Sequence, residues 1–560
     1  MPLTRKSALP SSVFPAQLSA RFLPRYDNPL PLWIIFPLIF AALYLTHASL
    51  LRLPYYWDEA GYYIPAAYDF FRTGSLIPVT TLSNAHPPLP SIYLALWWKL
   101  AGFTPLVTRT AVCLVASVAL LAVYRLAHAV TRRTPVAAAT VALTALYPVW
   151  FAQSTLAHAD IFAAAATLWG LAFALEDTTA PRTRARPLAA VLCFSLAALA
   201  KETAIVTPLA LALWETWHAW RLQFDDPASG SPRPRLAAGG RYLLVLLPLI
   251  IWYAYHYSRT GYVFGNPEYL RYNATATLSP LRFAVALFHR TLHVTTHMNM
   301  FVPVLCALAA MLLPPRDEQD GSPRQPIGDN ARQQVYLVIV ANVVFFSVMG
   351  GALLTRYVLP VYPLVLLICV NTLRRRVLYW PALVALSGAA FFAGLIVNPP
   401  YGFAPEDNLA YADVIALHQQ AIRVLVERNP HSVVLTAWPA SDELTKPELG
   451  YLRTPFPVVV IDNFSLLEIQ RAAQAAPGYT TALLFSTKYD PPGQPLSMAR
   501  KNDSIDSRFF DFHRDLRPDA AARVLGGAVE WRRERKGLWA AVLHFDRPQL
   551  AQLPAPSTAP

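Results

Sequence analysis

Residues 32–51 read LWIIFPLIFAALYLTHASLL, without one Asp, Glu, Lys or Arg. Wound as a helix, this run is long enough to cross a hydrocarbon core of about 30 Å. Working outward, runs of the same kind recur over Leu106–Val130, Val136–Phe151, Ile161–Leu175, Leu188–Ala200, Ala204–Trp220 and Tyr242–Tyr257. They continue over Phe301–Leu313, Val335–Leu354, Val358–Leu373 and Val377–Val397. That makes about eleven crossings. Composition agrees: 55% of the 560 residues are hydrophobic and 14% are charged, where soluble proteins average about 25% charged. Mean hydropathy is +0.33. The sequence therefore predicts an α-helical polytopic membrane protein, spanning 31–398, with a first outer loop over 53–105.

The basic residues set the orientation. The segment 1–30 carries Arg5, Lys6, Arg21 and Arg25 and is read as cytoplasmic. The groups Arg132-Arg133, Arg182/Arg184/Arg186, Arg233/Arg235/Arg241, Arg316/Arg324/Arg332 and Arg374-Arg375-Arg376 then all fall on the cytoplasmic side, as the positive-inside rule requires. No small-residue cleavage site follows a short apolar core, so the first helix reads as an uncleaved signal anchor. The net charge of +13 thus reports topology, and no nucleic-acid partner is implied. Cys113, Cys193, Cys306 and Cys369 all lie in predicted helices, which implies no disulfide framework. An odd number of crossings puts 399–560 on the outer face. The Ala/Arg/Pro-rich composition and short loops favour a bacterial inner membrane, with that domain in the periplasm.

The same orientation gathers the polar residues that an apolar sequence least explains. Asp58 and Glu59 are adjacent in Tyr55-Tyr56-Trp57-Asp58-Glu59-Ala60, just past the first run, where two carboxylates are costly unless they face water or a partner. In a helical backbone they point to different sides, so one could serve as a general base while its neighbour is held elsewhere; the alternative is an interfacial pair that merely stops the first helix. Asp160 opens the fourth span as a site residue or as an N-cap. Lys201 could hold a phosphate as a point charge, or pair with Glu202. Arg356 suits phosphate oxygens bidentately, or snorkels to the interface. His86, before Pro87-Pro88, could contact phosphate or donate a proton. The aromatic cluster from Tyr55 to Phe71 reads as a membrane-interface belt or as a sugar-stacking surface. Asn273-Ala274-Thr275 fits the N-glycosylation pattern. Activated substrate on this face must arrive without cytoplasmic nucleotides, and a lipid-linked donor meets that need.

Taken in order, Asp58-Glu59, the Pro-Pro-Leu segment after His86, Arg109, Asp160, Lys201-Glu202-Thr203 and Arg-Tyr-x-x-Pro-x-x-Pro over Arg356–Pro363 form a pattern. Over approximately the first 400 residues the chain resembles the large GT-C-fold membrane glycosyltransferases that use polyprenyl-phosphate sugars, the group containing protein O-mannosyltransferases and the aminoarabinose transferases of lipid A. The resemblance implies a GT-C-like fold and an inverting transfer of sugar to a lipid, glycan or protein acceptor. It makes Asp58 the base, Asp160 a second acidic contact and Glu59 the residue that orients the loop; Lys201, Arg356 and His86 bind the donor phosphate. Many relatives carry Lys at the position of His86, and a histidine there is charged only part of the time near neutral pH. Fixed cations beside the departing phosphate would stabilise its developing charge. No Asp-x-Asp or clustered His set appears, so no obligatory metal or other cofactor is expected.

From Tyr411 the pattern changes to helix (Ala412–Glu427), strand (Ser432–Ala437), helix (Asp442–Leu452), strand (Val458–Ile461), helix (Leu466–Ala475) and strand (Thr481–Ser486). A hairpin follows over Gly526–Trp531 and Leu538–Phe545. This alternation predicts a small extracytoplasmic α/β domain over 399–560. No glycine-rich phosphate loop follows its strands. A polytopic transporter or channel with a C-terminal binding domain is the rival reading, since intramembrane charges also line transport paths; the chain shows no internal duplication of the kind common in transporters.

Overall fold

The computed structural model describes residues 31–179, 185–225, 233–267, 279–318, 321–349, 351–474, 478–491, 503–510 and 512–546. The N-terminal segment 1–30, Arg182, Arg184 and the 273–275 glycosylation pattern lie outside the described residues.

The centre of the helical bundle is Pro105–Thr131, 27 residues long, which at 1.5 Å per residue spans about 40 Å. Thr104 starts it by accepting a hydrogen bond from the Val107 N–H, and Pro105 occupies the first turn, where its missing donor costs nothing. Ala159–Thr179 packs along it, and Ala185–Ala200 along that helix in turn. Alanine makes this closeness possible: Ala116, Ala119, Ala122 and Ala127 on the central helix and Ala164 and Ala172 on its neighbour are buried. Gly170 leaves the space that Phe194 fills, since a Cβ there would lie 2.5 Å from the Phe194 ring.

Five described helices are long and apolar enough to cross a membrane: Pro105–Thr131, Ala159–Glu176, Arg235–Thr260, Asp329–Val348 and Thr355–Arg376. Leu32–Thr46, Thr134–Leu146, Ala185–Ala200 and Trp380–Ile396 are shorter apolar helices. Leu188, Leu192, Leu247, Ile251 and Phe392 lie exposed on these elements, as lipid-facing side chains do.

Two regions differ from the sequence reading. The loop expected over 53–105 contains helices Ile64–Thr73 and Leu89–Ala101. Between the seventh and eighth apolar runs the chain forms a further helix, Pro280–Thr295, and the segment continuing into Phe301–Met311 bends by 100°. At the bend Met298 and Asn299 take left-handed backbone angles (φ 46° and 67°). The bend is tied down where the Met298 N–H donates to Tyr401 Oη at 3.0 Å and Asn299 Nδ2 donates to the Ala390 carbonyl at 2.7 Å.

The C-terminal domain is a five-stranded sheet: β1 (Val434–Ala437), β2 (Val458–Ile461), β3 (Thr481–Phe485), β4 (Ala528–Arg535) and β5 (Leu538–His544), in the order β2-β1-β3-β5-β4. β1 pairs in parallel with β2 and β3, and β5 runs antiparallel to β3 and β4. The helix expected over Asp442–Leu452 is shorter, Ala440–Thr445, because Pro447 forces its predecessor out of helical geometry. Ala410–Arg428 lies against β4 and β5. The domain meets the first loop through Trp57 and Trp438, whose rings lie edge to face at 5.2 Å, and through Tyr451, which donates to the Tyr55 carbonyl at 2.9 Å.

Candidate active site

The chain leaves the first apolar helix and turns at Trp57, whose left-handed backbone (φ 48°) leads into a single wide helical turn, Glu59–Tyr63. The turn sends the two adjacent carboxylates apart. Glu59 is fully buried. Its Oε2 accepts from the Tyr56 N–H at 2.9 Å and from Arg109 Nη2 at 3.1 Å, and its Oε1 accepts from the Ala157 N–H at 2.7 Å. Arg109, equally buried, also donates to the carbonyls of Leu53, Pro54 and Thr155 at 3.1, 2.6 and 2.9 Å. Burial raises the Glu59 carboxyl above its ordinary range, and Arg109 and the two N–H groups oppose that rise. Glu59 therefore fastens the loop to the bundle.

Asp58 faces the other way, with 28% of its side chain exposed, and pairs with Arg356 Nη2. Arg356 comes from the tight turns Thr355–Val361 that precede the Tyr362–Arg376 helix. Its Nη1 donates to Glu406 Oε2, and its Nε lies 3.2 Å from Asp160 Oδ2. Asp160 stands in the first turn of Ala159–Thr179, and its other oxygen accepts from Lys201 Nζ at 2.6 Å. Lys201 follows the end of Ala185–Ala200 and sits 4.1 Å above the Tyr357 ring. Asp58, Asp160, Lys201 and Arg356, far apart in sequence, thus meet in one cluster. Asp160, Lys201 and Arg356 line a cleft of about 20 Å³ together with Asn342 and Phe346.

Glu406 was not among the expected residues. It makes three carboxylates, Asp58, Asp160 and Glu406, to two cations, Lys201 and Arg356. Burial pushes the Glu406 carboxyl up to about 8; Arg356 opposes the shift, and Asp58, Asp407 and Asp160 add to it. The next residue, Asp407, turns away from the cluster. It accepts from Thr355 Oγ1 and lies 3.0 Å from His297 Nε2. Glu406-Asp407 thus resembles Asp58-Glu59 in sending one carboxylate to the cluster and the other away from it, although Asp407 is held by side chains where Glu59 is held by Arg109 and backbone N–H groups. The signal was present in the sequence, as a second pair of adjacent acids just past an apolar run.

His86 lies beside this cluster. Its Nδ1 is 3.1 Å from Glu202 Oε2, and its ring stacks on Tyr63 at 5.8 Å, which in turn lies 5.8 Å from His158. Burial alone would raise the Glu202 carboxyl, but His86 and Lys201 hold it below its ordinary value. Burial, with Arg356, Lys201 and Arg109 nearby, pushes His158 well below the ordinary histidine range, so it is neutral.

Several bland readings fail here. Lys201 pairs with Asp160, and Glu202 with His86, so no Lys201–Glu202 pair closes on itself. Arg356 does not snorkel, because it is 2% exposed. Tyr55, Tyr56 and Tyr63 are buried inside the protein and form no interfacial belt. Asp58 and Glu59 do more than end the first helix, since each has a separate partner deep in the fold. All four cysteines are free. Among the described residues, no three His, Cys, Asp or Glu side chains group as metal ligands.

Residues 85–252 match the family model described as dolichyl-phosphate-mannose-protein mannosyltransferase. A comparison with curated proteins returned no match. Among solved structures, ArnT from Cupriavidus metallidurans in the apo state superimposes with a TM-score of 0.52 at 15% identity, covering 91% of this chain and 97% of that one. The same protein bound to undecaprenyl phosphate gives 0.53 at 14% identity, with the same coverage. The chain is therefore an α-helical polytopic membrane protein with a C-terminal sheet domain and the GT-C fold of ArnT.

Proposed function

We propose that this chain is a membrane glycosyltransferase that moves a sugar from a polyprenyl-phosphate donor to a lipid, glycan or protein acceptor, with inversion at the anomeric carbon. The observation that carries the reading is the convergence of Asp58, Asp160, Lys201 and Arg356 at the end of the bundle that the C-terminal domain covers. The family match over 85–252 and the shared fold with a protein that holds undecaprenyl phosphate support a lipid-phosphate donor. A groove between helices lets the donor's tail stay in hydrocarbon, which spares a large desolvation cost. The transporter reading gains no support from the fold.

In this scheme the acceptor oxygen or nitrogen attacks the anomeric carbon while the Asp58 carboxylate takes its proton. The bond from that carbon to the phosphate oxygen breaks, and its electron pair leaves with the lipid phosphate. Lys201 and Arg356 neutralise the charge that develops on the phosphate, where preorganised cations in a dry site act most strongly. His86 would assist from beside Tyr63. Asp160, which holds both cations, keeps them in position and borders the sugar. Glu59 acts only through the loop it fastens. The sugar, hexosyl or pentosyl, is chosen by cleft shape. The transferase domain spans 31–398, and the 399–560 domain caps the cleft on the outer face, in the periplasm of a bacterial inner membrane.

The test is sugar transfer in membranes supplied with a polyprenyl-phosphate sugar. Loss of a positioned base costs about 100-fold or more, so Asp58→Asn should fall by at least that much with the protein still folded. Equal turnover by both proteins would remove Asp58 from the mechanism.

A further inference from the structure

A second charged site lies at the other end of the same helices. Asp329–Val348 carries Asn342 and Phe346 at the Asp160 cleft and Arg332 and Tyr336 near its opposite end. From Phe346 to Arg332 the helix rises about 21 Å. The Thr355–Arg376 segment runs the other way, from Arg356 and Pro360 at the cleft to Asn371, Arg375 and Arg376. These distal residues enclose a cavity of about 270 Å³.

The cavity has three arginines, Arg332, Arg375 and Arg376, and no Asp or Glu in its lining. Nearby acids are already engaged. Glu318 pairs with Arg374 and lies 3.1 Å from Arg133; of the cavity's own arginines, Arg332 is 2.7 Å from the exposed Asp329 and Arg376 Nη1 donates to the Met311 and Leu313 carbonyls, which leaves Arg375 as the least engaged. Arg375 Nε is buried without a hydrogen-bond partner, a cost that an anion entering the cavity would relieve. Met311, Ile327 and Ile368 form an apolar part of the wall, beside the polar Asn371 and Thr372. Guanidinium groups above an apolar wall, between the ends of membrane helices, match a phosphodiester headgroup whose acyl chains continue into the bilayer. A soluble phosphate would use the arginines but would gain nothing from Met311 and Ile368.

We infer that this cavity binds the phosphate of an anionic phospholipid in the leaflet opposite the Asp160 cleft, which the positive-inside reading makes the cytoplasmic leaflet. The site is separate from the proposed donor site and requires no transferase activity. It gives the bundle a lipid clamp where Arg332 of Asp329–Val348 meets Arg375 and Arg376 at the end of Tyr362–Arg376.

The full chain, purified in detergent, is offered phosphatidylglycerol or phosphatidylcholine of equal acyl length and examined by native mass spectrometry. Phosphatidylglycerol should be retained about tenfold better, as two or three arginines near a lipid phosphate allow. Arg332→Gln with Arg375→Gln should abolish the preference, while the corresponding Lys pair should keep most of it, which separates lost charge from lost fold. Arg316→Gln, exposed outside the cavity, should change nothing, and Asp58→Asn should bind the lipid normally whatever it does to transfer. Equal retention of the two lipids, an equal effect of Arg316→Gln, or displacement of lipid by millimolar inorganic phosphate would each overturn the assignment.

Discussion

Asp58 and Glu59 are neighbours with opposite environments, and the difference decides what each can do. Asp58 keeps part of its carboxylate accessible, whereas Glu59 has none exposed and is held by Arg109 and two backbone N–H groups. Removing one partner of a buried ion pair strands the other charge, at a cost of about 3–5 kcal/mol. Arg109→Met should therefore lower the thermal unfolding temperature in detergent sharply, and Arg109→Met with Glu59→Met should recover part of the loss. An Arg109→Met protein as stable as the parent would show that the pair does not fasten the loop. Asp58, Asp160, Lys201 and Arg356 were legible in the sequence because charges flanking apolar runs need a reason to be there. Their partners were not: that Lys201 would choose Asp160 over the adjacent Glu202 depends on how Ala159–Thr179 and Ala185–Ala200 pack, which spacing along the chain does not encode.

At the level of elements, uniformly apolar segments and alternating strands were the readable ones. Four of the five strands fall within two residues of where the pattern put them; β4, expected to end at Trp531, runs on to Arg535 because its charged, partly exposed end Arg532-Arg533-Glu534-Arg535 lacks the apolar signature. Pro280–Thr295 went unread because Arg282, His289, Arg290 and His293 interrupt its apolar residues, although Arg282 and Arg290 are fully buried. The joint between the C-terminal domain and the first loop was also invisible, as it depends on a missing side chain. A Cβ at Gly61 would meet the Trp438 indole, with Cε2 and Cζ2 at 2.5 Å. Gly61→Ala should loosen this joint at a cost of about 1–3 kcal/mol. Limited proteolysis should then cut the C-terminal domain faster than in the parent, and an unchanged digestion rate would mean the joint does not depend on that contact.

Across the whole molecule, Glu406 connects the last membrane helix to the C-terminal domain and also reaches Arg356. Folding moves its carboxyl from an ordinary 4.5 up to about 8, so between those values the folded chain binds the proton more tightly than the unfolded chain. This contribution to stability is present at acid pH and declines as pH rises through that window. Thermal unfolding followed from pH 5 to pH 8 should show the decline in the parent and a flatter profile in Glu406→Gln. Identical profiles would place the titration elsewhere.

Arg356 holds the first loop through Asp58, the bundle through Asp160 and the connector through Glu406. On the proposed mechanism, a base tied to a guanidinium is a weakened proton acceptor, and a donor phosphate that claims the guanidinium restores its basicity. Turnover would then be compulsorily ordered, donor first, and the spent lipid phosphate should inhibit competitively against donor but not against acceptor. Competitive inhibition against both would mean that either substrate can arrive first.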